Sequence, residues 1–116
     1  MFKTKIKDIE LTLKFGVRFL DELNSVMGVS QSNINMGMSA LRAIPGLTVS
    51  DPSILGRVLY AASYSNPVRP TVDEWFDYLD TVTPSQIVKL SKQCLDEINN
   101  SNGLKAMVAI SKKKQG

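Results

Sequence analysis

The chain has 116 residues, 43% of them apolar and 22% charged, with a net charge of +3. That length suits a single domain with its own core, and the composition is globular rather than disordered. There is no histidine and one cysteine, Cys94, which excludes an intramolecular disulfide, a histidine-based triad and a Cys-His nucleophile pair. No stretch approaches the roughly 20 apolar residues of a membrane span. The N-terminal Met1–Lys7 segment is too rich in lysine for the apolar region of a signal peptide. A reducing, cytoplasmic setting without a membrane follows as the expectation.

Alternation dominates the first fifteen residues. Phe2, Thr4 and Ile6 alternate with Lys3, Lys5 and Lys7, and Ile9, Leu11 and Leu13 alternate with Glu10, Thr12 and Lys14. Period two is the mark of strands. A two-residue turn at Lys7-Asp8 pairs Ile6 with Ile9, Thr4 with Leu11 and Phe2 with Leu13, and sets Lys5 across from Glu10. The turn lacks the Asn-Gly or Asp-Gly that hairpins favour. A lone hairpin is marginal in water, so its apolar face must lie on helices or on another subunit.

From Phe15 the period becomes helical. Val17, Leu20, Leu23 and Met27 repeat on one side, with Gly28 as a C-terminal cap. Val29–Asn35 reads as a polar loop. A short helix is expected from Met36 to Ile44, stopped by Pro45-Gly46. Asp51-Pro52 opens the next, with Asp51 as N-cap, and Ile54, Leu55, Val58, Leu59 and Ala62 face inward. Arg57 and Ser63 are expected outside, and Asn66-Pro67 ends it. Thr71–Glu74 and Thr83–Gln86 are capping boxes. The first starts a helix with Trp75, Phe76, Tyr78 and Leu79. The second starts a long one carrying Ile87, Leu90, Cys94, Leu95 and Ile98. After the breakers at Asn99–Gly103, Leu104–Ile110 makes a last short helix. The fold class is mainly α: an N-terminal β-hairpin followed by about five or six short helices in one compact domain, residues 1–110. Residues 111–116 form a flexible basic tail.

Little here can do chemistry. Cys94 falls at the helical spacing of the core residues around it and reads as a buried thiol. Asp73 and Asp77 stand four positions apart and could share a cation, but two carboxylates alone are a weak metal signal. The glycines have neither P-loop nor dinucleotide spacing. No catalytic residue, cofactor or metal is expected. The aromatic cluster Tyr60, Tyr64, Trp75, Phe76 and Tyr78 has two readings: a wide core face, or in part a partner-binding surface, which tyrosine and tryptophan favour. Met36 and Met38 are open to the same two readings.

The segment Leu11-Thr12-Leu13-Lys14-Phe15-Gly16-Val17-Arg18-Phe19-Leu20-Asp21-Glu22-Leu23-Asn24 resembles the start of tail assembly chaperones from long-tailed phages of Gram-positive bacteria. Asp51-Pro52 through Leu59-Tyr60-Ala61-Ala62 resembles the middle helix of that family. Arg69-Pro70-Thr71-Val72-Asp73-Glu74-Trp75-Phe76-Asp77-Tyr78-Leu79 resembles the acidic-aromatic helix after it. The resemblance implies a non-enzymatic protein of the host cytoplasm, absent from the mature virion. It would bind and solubilise the tape measure protein and help recruit tail tube protein. It also implies self-association, for which the hairpin edge is one route. Family members are often made in short and frameshifted long forms, and Lys112-Lys113-Lys114 fits a slippery codon run. The expected partner surface lies around Tyr60, Tyr64, Trp75 and Phe76. The alternative is a small nucleic-acid-binding phage regulator; the weak net charge and missing basic recognition helix argue against nucleic acid.

Overall fold

The computed structural model describes residues 1–27, 38–102 and 105, with only the backbone of residues 38–41. Strands β1 (Phe2–Ile6) and β2 (Ile9–Leu13) form an antiparallel hairpin, followed by five helices among the described residues. Its register is Phe2 with Leu13, Thr4 with Leu11, Lys5 with Glu10 and Ile6 with Ile9, as the alternation requires. Lys7 makes the turn with a φ of 54°, a conformation that costs a side-chain-bearing residue about 1 kcal/mol. Ile6, Leu11 and Leu13 are buried. Phe2 stacks on Phe15, which in turn meets Phe19 at 4.9 Å between ring centres.

Helix α1 (Val17–Val26) buries Phe19, Leu20 and Leu23. It is closed by the Met27 amide donating to the Leu23 carbonyl. The expected Gly28 cap, the 29–35 loop, Met36, the basic tail and the 104–110 helix apart from Lys105 lie outside the described residues, as does the side chain of Met38.

Helix α2 (Met38–Thr48) corrects the sequence reading, because it runs through Pro45-Gly46 instead of stopping there. Two tertiary facts explain the passage. Ala43 and Leu47, on either side of the dipeptide, are both buried. A Cβ on Gly46 would lie 2.7 Å from Ile54, so glycine here serves a close helix–helix approach. The actual stop is a Schellman motif: Ser50 takes a φ of 57°, its amide donates to Leu47, and the Asp51 amide donates back to Gly46 at 2.9 Å.

Helix α3 (Pro52–Ala62) starts as expected, with the Asp51 carboxylate accepting from the Ser53 amide. The Ser53 hydroxyl on the same oxygen holds the Asp51 carboxyl below its ordinary pKa. That support is complete above the ordinary carboxylate range and fades as pH falls through the lowered value. The helix ends four residues before Asn66, and Ser63 is buried rather than outward. The Ser63 hydroxyl donates to the Tyr60 carbonyl at 2.7 Å, which ties it under the helix end. Helices α4 (Val72–Thr81) and α5 (Pro84–Asn99) each carry both halves of their capping box.

The end of α3 also holds the hairpin. The Lys14 amide donates to the Ala62 carbonyl at 2.9 Å. The Asn66 side chain accepts from the Thr12 amide at 2.9 Å and donates to the Thr12 carbonyl at 2.8 Å. One side-chain amide thus imitates the peptide of a third strand along the outer edge of β2. Replacing it leaves a partly buried amide and carbonyl without partners. Asn66→Ala should lower stability by about 1–2 kcal/mol in urea titration and speed exchange of the Thr12 amide. Ser50→Gly should raise stability by about 0.5–1 kcal/mol, read in the same way, by relieving the positive φ.

Candidate functional site

Helix α3 occupies the centre and touches α1, α2, α4 and α5. Its inward residues Leu55, Val58, Leu59 and Ala62 are fully buried. Arg57 and Tyr60 stand three positions apart on its other side, and Tyr64 continues the row just beyond its end.

The structure divides the aromatic cluster in two. Trp75 is 0% exposed, packed edge-on to Tyr78 with 5.9 Å between ring centres. It belongs to the core and presents no surface. Tyr60, Tyr64 and Phe76 are half-buried. Gly56 is the reason Phe76 turns aside: a Cβ there would lie 2.5 Å from its ring. The ring of Phe76 therefore fits against the α3 backbone.

Tyr78 is half-buried as well, against Trp75, and the other three half-buried rings of the cluster each carry an arginine. Arg57 lies over Phe76 at 5.3 Å, Arg18 over Tyr64 at 5.9 Å, and Arg69 over Tyr60 at 3.8 Å. Arg69 does most. Its Nη2 and Nε donate to the Tyr60 carbonyl at 2.9 and 3.3 Å, and its Nη1 donates to Glu22 Oε1 at 3.1 Å. It thereby bolts the α3–α4 connection onto α1 and α3 together. Beside it, Glu22, Ser25, Val26, Tyr60, Thr71 and Val72 line a hollow of about 260 Å³. Sequence reasoning found the rings but missed the arginines. Arg57, three positions before Tyr60, follows the row of α3, whereas Arg18 and Arg69 are distant in sequence from the rings they cover or reach them through a loop.

The thiol of Cys94 is buried, and that burial pushes its pKa far up, so it stays protonated. Among the described residues no group of three or more metal-binding side chains occurs. No helix among them is long and apolar enough to cross a membrane. Tyrosine and arginine, which meet on this face, are residue types enriched where binding energy concentrates at protein interfaces.

Arg69→Lys tests the bolt. Lysine keeps the charge but not the planar fork or the stacking, so stability should fall by about 1–2 kcal/mol in urea titration. Glu22→Gln, which keeps an acceptor, should cost less than half as much.

No curated protein and no solved structure matches this chain. A family model described as phage tail assembly chaperone protein, TAC, matches residues 3–112, from the hairpin through the last described helix and beyond. With nearly the whole chain matched, it belongs to the phage tail assembly chaperone family.

Proposed function

We propose that this chaperone binds the tape measure protein of its phage, keeps that protein's apolar helical faces from aggregating, and helps bring tail tube subunits to it. It works in the host cytoplasm, performs no chemistry and is left out of the finished virion. Membership of the family is the observation that carries this reading. On the same reading, the Lys112-Lys113-Lys114 codons mark where a longer frameshifted form diverges.

The contact surface is the face of Tyr60, Tyr64 and Phe76, with Trp75 fixing α4 from beneath. A holdase must own apolar surface without aggregating itself. Arginine lids over Tyr64 and Phe76 meet that need, while Arg69 stays fixed on Tyr60. A cation–π contact is worth about 0.5–1 kcal/mol at an exposed site, whereas an aromatic ring buried in an interface gains about 2 kcal/mol or more. A client helix can therefore displace Arg18 and Arg57, while water alone leaves both lids closed.

Co-expression with the tape measure protein of the same phage tests this. The expected result is a soluble complex that survives affinity purification, with Tyr64→Ala reducing recovery several-fold and leaving the melting curve within a few degrees. A tape measure protein equally insoluble with and without the chaperone would refute the reading.

A further inference from the structure

The two edges of the hairpin are unequal. Asn66 and Ala62 occupy the outer edge of β2. Among the described residues, no backbone group pairs with the outer edge of β1. In this register the groups on that edge are the amides and carbonyls of Lys3 and Lys5, since Thr12, opposite Lys3, likewise points its amide outward. Both lysine side chains are exposed on the solvent face.

Two hollows adjoin β1, and no β2 residue lines either. One, of about 310 Å³, lies between Ile6 and Lys7 of the hairpin and Glu74, Asp77, Tyr78 and Thr81 of α4. The other, of about 280 Å³, lies between Phe2 and Gln93, Asp96, Glu97 and Asn100 at the end of α5. Phe2 and Ile6 are roughly 13 Å apart along a strand. Each hollow sets an apolar side chain of β1 beside two carboxylates, Glu74 and Asp77 in the first and Asp96 and Glu97 in the second, partly offset by Lys7 in the first and by the Met1 amine on Glu97 in the second.

We propose that the open edge of β1 accepts an added strand from a partner protein: an extended segment with acidic side chains on its outward face and two long cationic side chains, four positions apart, entering the hollows. Main-chain hydrogen bonds would supply binding and the alternate side chains selectivity. Charge identifies the occupant. A second copy pairing through β1 would set Lys3 and Lys5 against the same lysines, which is destabilising. Nor does the chain hold an extended acidic segment of its own. Apart from Asp8 and Glu10 of the hairpin, its acidic residues lie in helices or, for Asp51, in a helix cap. The proposal does not depend on which tail protein is the client. A chaperone that solubilises the tape measure protein and fails the test below loses only this edge site.

The probe is a labelled peptide, acetyl-Thr-Arg-Glu-Val-Glu-Arg-Thr-amide, titrated into the full chain by fluorescence anisotropy at low salt, with amide exchange followed by NMR. Saturable binding is expected. It should weaken about tenfold for the charge-swapped peptide Thr-Glu-Lys-Val-Lys-Glu-Thr, and likewise for the double variant Lys3→Glu, Lys5→Glu. The Lys3 and Lys5 amides should exchange quickly in the free protein and slow on binding, while Thr12 is unchanged. No binding, or equal affinity for the two peptides, overturns the proposal. So does slow exchange at Lys3 and Lys5 without peptide, which would mean that a second copy or another part of this chain already fills the edge.

Discussion

The structure depends on how the C-terminal end of α3 satisfies its carbonyls. A helix leaves its last carbonyls without partners inside the helix, and a two-stranded hairpin leaves a row of edge groups in the same position. Here the two deficits answer each other. The Ala62 carbonyl takes the Lys14 amide, and the Tyr60 carbonyl takes Ser63 and Arg69. Asn66, just past the helix, pairs both ways with Thr12. A hairpin that would be marginal alone thus becomes part of the helical domain.

That junction also arranges the surface. Arg69 is held by Tyr60 and Glu22 at once, with its guanidinium carbon over the Tyr60 ring, 3.8 Å from the ring centre. With β2 covered, the outer edge of β1 is the one without a backbone partner among the described residues. Two glycines set the depth of the helices around it. Gly46 lets α2 approach Ile54, and Gly56 lets Phe76 lie on the backbone of α3. With Phe76 placed there, Trp75 on the same helix turns into the core beside Leu79. One helix thereby supplies both a core anchor and an outward ring. That division separates what keeps the domain folded from what remains at the surface.

Local signals account for a large part of the fold. The alternation of Phe2–Leu13 sets the hairpin register, because a slip of one residue would expose the whole apolar face. Asp51-Pro52, Thr71–Glu74 and Thr83–Gln86 place three helix starts, since each cap is complete within four residues. The rings at Tyr60, Tyr64 and Phe76 were legible as a cluster, although not their separation from Trp75. Beyond the reach of such signals lay whatever depends on a neighbour distant in the chain. Pro45-Gly46 has the composition of a turn, yet the gain from packing against Ile54 keeps it helical. Ser63 looks like a surface serine until its hydroxyl is needed by Tyr60. Asn66 looks like a helix stop until β2 supplies two partners 54 positions away. Arg18 and Arg69 look solvated until the fold brings rings beneath them. Periodicities and caps can be read from neighbouring residues, because their energies are settled locally. Which polar groups complete one another, and which aromatic faces stay outside, follows from the folded arrangement alone, because those energies exist only once separate segments have been brought into contact.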